Sequence, residues 1–166
     1  FIAGHLLAGA ILTFVVGVLD GVDGKLARVR GQETRLGMME HPFDLLFEFS
    51  WYVSFTFSAY RLFGDVMLLA ACMVGLTAIS FYRFIYDQFR KATGVSLDDY
   101  GGFERVFRRI AGRRNLYNVH MLALTLLGTP HLATFSIAAH AVLTGAIYAW
   151  RALKHLRELD STLPPP

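Results

Sequence analysis

Cysteine is nearly missing from this chain. Cys72 is the one thiol in 166 residues, so no internal disulfide framework can form, and its place in an apolar run suits a small buried residue. Proline is scarce outside the Pro164-Pro165-Pro166 tail, where only Pro42 and Pro130 interrupt the chain. Charge is scarce too. Asp, Glu, Lys and Arg make up 17% of the residues, against about 25% in an ordinary soluble domain. What replaces them is apolar: 54% of the residues are hydrophobic and the mean hydropathy is +0.42. That balance excludes a typical water-soluble domain and fits an all-α polytopic membrane bundle.

Five apolar windows stand out, at 1–19, 43–63, 66–86, 115–130 and 132–150. A helix needs about 20 residues to cross a hydrocarbon core of roughly 30 Å. The window at 115–130 is short and draws on Gly112, Arg113 and Arg114 as its interfacial end. Net charge is +3 with a pI of about 9.2, but the basic residues sit in short segments between apolar windows, which argues against nucleic acid as a partner. Of the 16 Lys and Arg residues, all but Arg61 fall on one side of the implied topology, which the positive-inside rule makes cytoplasmic. Tyr82, Tyr86, Tyr148 and Trp150 stand at the same ends, as an aromatic belt requires. The first window opens on Phe1 without a basic flank or a cleavage site, so a sixth helix upstream is expected.

There is no internal repeat. A membrane-embedded domain is expected over 1–158, followed by a proline-rich tail over 159–166. Within the segment 87–112, glycines and paired aspartates over 92–102 read as a loop. Phe103, Val106, Phe107 and Ile110 follow helical spacing opposite Arg105, Arg108 and Arg109, which reads as an amphipathic helix on the headgroups. His5, His120 and His140 read as hydrogen-bonded packing residues on apolar helices, and His131 and His155 carry no functional reading.

The chemistry-bearing residues crowd one end of the first two windows. Asp20 and Asp23, three apart, share a helix face directly after the first apolar run. Carboxylates at such depth are costly and mark a functional site with a cationic partner. Gly21 and Gly24 leave room for a phosphate or nucleotide to approach the backbone. The second window opens with Glu40, His41, Asp44 and Glu48, whose carboxylates recur every four residues. Packed against Asp20 and Asp23, this oxygen-rich set suits Mg²⁺, Mn²⁺ or Ca²⁺, with Mg²⁺ shared with substrate phosphates.

In these residues the chain resembles the CDP-alcohol phosphotransferases. Their pattern is Asp, two residues, Asp-Gly, two residues, Ala-Arg, eight residues, Gly, three residues, Asp, three residues, Asp. Asp20, Asp23, Gly24, Ala27, Arg28 and Gly37 match it in type and spacing. The last two aspartates do not: their places hold His41 and Leu45, while Glu40 and Asp44 stand one residue earlier and keep the interval between carboxylates. Either the turn before them absorbs the slip, or His41 replaces a carboxylate ligand, as the following Pro42 favours.

The resemblance implies a six-helix homodimer with a cavity facing the cytoplasm. It implies a CDP-alcohol or CDP-diacylglycerol donor, an alcohol or polyol-phosphate acceptor, membrane lipids as surroundings, and release of CMP. Asp20 and Asp23, with Glu40 or His41, would hold Mg²⁺ or Mn²⁺, and Asp44 would act as the base. Gly24, Ala27, Arg28 and Gly37 would lie on the CDP side, while Arg113 and Arg114 would hold an acceptor or lipid phosphate. Two other readings compete with this enzyme: a lapsed family member serving as a subunit of a membrane assembly, and a divalent-cation or proton transporter using the same carboxylates.

Overall fold

The computed structural model describes residues 1–30 and 40–162; within these, the side chains of Asp23, Gly24, Lys25, Ala27, Arg28, Glu40 and His41 lie outside the description. The described residues form helices and turns and contain no strand. Helix α1 spans Leu6–Val29, α2 Glu40–Phe63, α3 Met67–Thr93, α4 Leu97–Tyr100, α5 Gly102–Phe107, α6 Arg114–Leu126 and α7 Pro130–Ser161.

Two helices among the described residues, α3 and α7, are long and apolar enough to cross a membrane, and α1 adds a shorter apolar stretch over Leu6–Val22. The other windows coincide with helices of different quality. Helix α2 carries Glu40, Asp44, Glu48 and Arg61 among its apolar residues, and the 13 residues of α6 reach only about 20 Å. Outward-facing Leu12, Val16 and Leu19 on α1 and Met73, Phe81 and Phe84 on α3 are exposed, as surfaces meeting lipid should be.

The two hairpin connections are short because their chemistry is local. Gly64 and Gly128 take φ of +69° and +75°, the left-handed conformation that ends α2 and α6 and that glycine adopts without steric cost. Past Gly64 the Asp65 carboxylate accepts the Met67 N–H at 2.9 Å. Past Gly128, Pro130 opens α7, where its fixed φ fits and its missing N–H costs nothing.

The chain divides into two compact units. The first comprises Phe1–Met73 and Arg113–Ile137, the second Val74–Gly112 and Ala138–Pro166. In the first, Tyr52, Phe55, Leu68, Tyr117, Met121 and Ile137 are buried. The Tyr52 hydroxyl donates to the Thr134 carbonyl at 3.0 Å, and the Thr56 and Thr134 hydroxyls pair at 3.1 Å. Such bonds between helices replace the hydrophobic drive that lipid removes. His120 belongs to the same pattern, its Nδ1 lying 2.9 Å from Ser136 Oγ.

In the second unit, Ile79, Tyr82, Phe89, Leu97, Tyr148 and Ala152 are buried. Here the expected loop over 92–102 is corrected: it contains the single turn α4, because Leu97 packs inward and the Tyr148 hydroxyl donates to Asp98 at 2.5 Å. The amphipathic helix expected over 103–110 is shorter, with α5 ending at Phe107. Val106 and Ile110 are exposed, while Glu104 is buried against Arg151 and His155 of α7. His155, which the sequence left without a reading, accordingly has a structural place. His140 Nε2–H donates to the Ile110 carbonyl at 2.8 Å.

Candidate active site

Three helices of the first unit bring one charged cluster together. Asp20 lies on α1, Asp44 on the opening turns of α2, and Arg114 is the first residue of α6. The Arg114 guanidinium bridges the two carboxylates: Nη1 donates to Asp44 Oδ1 at 2.6 Å, and Nη2 donates to Asp20 Oδ2. Arg114 is 12% exposed and each aspartate 28%. At that depth the pair is shielded enough from water for charge to matter more than in a surface ion pair.

What lets α6 approach α1 is glycine. A methyl group on Gly17 would lie 2.6 Å from Asn118 Nδ2 and 2.9 Å from Asn115 Oδ1. A methyl group on Gly21, one turn further, would lie 3.9 Å from Asn115 Nδ2, an ordinary van der Waals contact. Asn118 is 1% exposed, and its Nδ2 donates to the Thr13 carbonyl at 3.3 Å. This carboxamide pair seated on a glycine groove sets the height of α6, and Arg114 stands next to it in the chain. The motif reading passed over Gly17, Asn115 and Asn118. Their signal was present as Gly17 and Gly21 four apart in an apolar helix, a spacing that permits close helix contact.

Of the expected site residues, Asp20, Asp44 and Arg114 meet. Arg113 precedes α6 in extended conformation and is exposed. Glu48 is fully buried one turn beyond Asp44. Asp23, Gly24, Ala27 and Arg28 fall on the α1 backbone and Glu40 and His41 on that of α2, with side chains outside the description; Gly37 lies outside the described residues altogether.

Two carboxylates converging on one point offer hard oxygen donors of the kind Mg²⁺ and Mn²⁺ prefer. Among the described residues no group of three or more His, Cys, Asp or Glu gathers to hold a metal. Of the described residues, Asp20 and Asp44 would supply one or two carboxylate ligands to such a cation, the usual number where substrate phosphates complete Mg²⁺ coordination. Arg114 adds a planar fork suited to phosphate as well as to carboxylate.

A helical chain with two apolar helices of membrane length falls in the class of helical membrane proteins. The chain belongs to the CDP-alcohol phosphatidyltransferase family, whose model matches residues 1–153. Membership carries transferase activity on CDP-alcohols and a place in phospholipid synthesis, and with α3 and α7 it marks an integral membrane protein. No significant match was found among curated proteins, and none among solved structures.

Proposed function

We propose that this protein moves a phospho-alcohol or phosphatidyl group from a CDP-alcohol to an acceptor hydroxyl at a site facing the cytoplasm, releasing CMP. The observation that carries the reading is the convergence of Asp20 and Asp44 from separate helices, with Arg114 between them. A divalent cation, Mg²⁺ or Mn²⁺, would neutralise charge on the diphosphate and on the departing CMP. Asp20, together with Asp23 and either Glu40 or His41, would hold it.

The chain's own residues then divide the work. By their match to the family's motif, Gly24, Ala27, Arg28 and Gly37 would serve the CDP side. An Asp44 carboxylate oxygen takes the proton of the acceptor hydroxyl as that oxygen attacks the phosphorus bearing the alcohol group. The new P–O bond forms, the bond from phosphorus to the CMP oxygen breaks, and CMP carries the electron pair away. Arg113 and Arg114 orient phosphate oxygens of donor or acceptor. Acceptor and donor both come from, or lie beside, the lipid bilayer, and a second copy of the chain completes a homodimer.

The test is CMP release by the purified protein from CDP-diacylglycerol or a CDP-polyol, with Mg²⁺ or Mn²⁺ and a panel of alcohol and polyol-phosphate acceptors. Asp44→Asn should lower kcat by roughly 10²-fold or more, the scale of a lost general base. If no CDP-alcohol yields CMP under any of these conditions, the reading is wrong.

A further inference from the structure

Helix α7 is longer than a membrane core is thick. Its 32 residues extend about 48 Å, against a hydrocarbon core of roughly 30 Å. With the apolar window 132–150 in that core, the turns from Trp150 to Ser161 stand at and above the headgroups. Packing settles which way these turns face. Tyr148, Ala152 and His155 are buried, and Arg151 and His155 both reach Glu104. At about 100° per residue, Trp150, Leu153, Lys154 and Arg157 then point the opposite way, and all four are exposed.

Together with Glu158 these four residues line a groove of about 500 Å³. Its two ends differ in chemistry. Toward the apolar window stand Trp150 and Leu153, 60% and 53% exposed, and the same outward stripe continues as Val142, Leu143 and Ala146. Toward the end of α7 stand Lys154 and Arg157. Lys154 Nζ lies 3.8 Å from Glu158, a loose surface pair, and Glu158 also faces His155 at 3.4 Å. Two cations against one carboxylate leave the groove positive. The indole is held in place, because the Arg151 guanidinium bonded to Glu104 lies 5.6 Å from its ring and 4.9 Å from that of Phe103.

We propose that this face of α7 binds one anionic phospholipid of the cytoplasmic leaflet. The lipid phosphate pairs with Lys154 and Arg157, and an acyl chain runs along Leu153, Ala146, Leu143 and Val142. The indole of Trp150, apolar in its body and polar at its N–H, suits the level between them. Charge complementarity favours this occupant, since the end of the chain rich in Lys and Arg meets the leaflet that carries anionic lipid. A soluble phosphate would leave Trp150 and Leu153 in water, whereas a lipid covers both. The site is independent of the proposed transfer reaction, because the lipid here is held and not consumed.

The experiment places the full chain in phosphatidylcholine nanodiscs doped with phosphatidylglycerol or phosphatidylcholine brominated on the acyl chains, which quench a nearby indole. Trp51 is buried, and its share of the emission is subtracted with Trp150→Phe. Brominated phosphatidylglycerol should quench Trp150 at about a fivefold lower lipid fraction, the factor that one Lys or Arg contributes beside anionic lipid. Lys154→Gln combined with Arg157→Gln should erase the preference. Arg90→Gln combined with Lys91→Gln, which neutralises two exposed residues at the end of α3, should leave it intact. Equal quenching by the two lipids in the wild type, as when a second copy of the chain covers the stripe, overturns the proposal. Equal loss in the two double variants also overturns it, because that is the behaviour of a diffuse basic surface. Loss of the preference on adding excess inorganic phosphate at constant ionic strength identifies a site for soluble anions and overturns the lipid assignment.

Discussion

A side chain on Gly17 has nowhere to go without moving Asn118, whose buried amide is already bonded to Thr13. Two opposing terms decide the outcome. Replacing a helical glycine recovers about 1 kcal/mol of propensity, and overpacking a tight contact costs about 1–3 kcal/mol. For alanine the terms nearly cancel; for leucine the packing term wins. Gly17→Leu should lower the melting temperature in detergent and reduce CMP release together, because the contact it opens lies beside Arg114. Gly64→Ala is the control. Its Cβ meets nothing within 4 Å and φ is +69°, so it should cost about 1 kcal/mol of backbone strain and leave activity alone. Equal activity loss in both variants would remove Gly17 from the site's support. Asp20 and Asp44 were legible from spacing and residue type alone. Gly17 and the two asparagines were not, because a glycine's importance lies in what approaches it.

Helix α7 and the short α5 are joined through one buried carboxylate. Glu104 is 1% exposed. Burial pushes its pKa up, but hydrogen bonds from Arg151 and His155 outweigh that and bring it down to about 2 from an ordinary 4.5. The folded-state value is depressed, so the stability it contributes is fully present above about pH 4.5 and is lost as pH falls toward 2. Glu104→Gln should cost about 3 kcal/mol near neutrality, since it strands Arg151 in a half-buried position. Melting curves of the two proteins should converge as the buffer is taken from pH 5 toward pH 2, roughly the window over which the carboxylate protonates. A difference that stays constant across that range would sever the link. The amphipathic phase of α5 was readable from Phe103, Val106 and Phe107. Helix α4 was hidden, because a single turn between glycines has no periodicity to detect and forms only where Leu97 and Asp98 find α7-side partners such as Tyr148.

The distribution of charge over the whole chain makes its own prediction. With every Lys and Arg except Arg61 assigned to one side, the α2–α3 connection should face outward and the end of α7 should face the cytoplasm. In a Cys72→Ser background, a membrane-impermeant maleimide should label Asp65→Cys on intact cells. Thr162→Cys should react only after permeabilisation. Labelling of Thr162→Cys on intact cells would invert the topology and place the carboxylate site on the wrong face for CDP.

Composition, apolar windows and residue spacing by themselves determined that the chain is an all-helical protein with membrane-length apolar helices, and that carboxylates of its first two long helices lie near one another. These are local or additive properties: hydropathy sums along a segment, and a helix repeats every 3.6 residues. Only the tertiary structure decided that Arg114 stands between the two aspartates. It lies 94 residues from Asp20 and 70 from Asp44 in the chain, and no periodicity connects such positions. Their meeting depends on α6 settling onto the Gly17 groove of α1, a packing event that exists only when the helices are assembled.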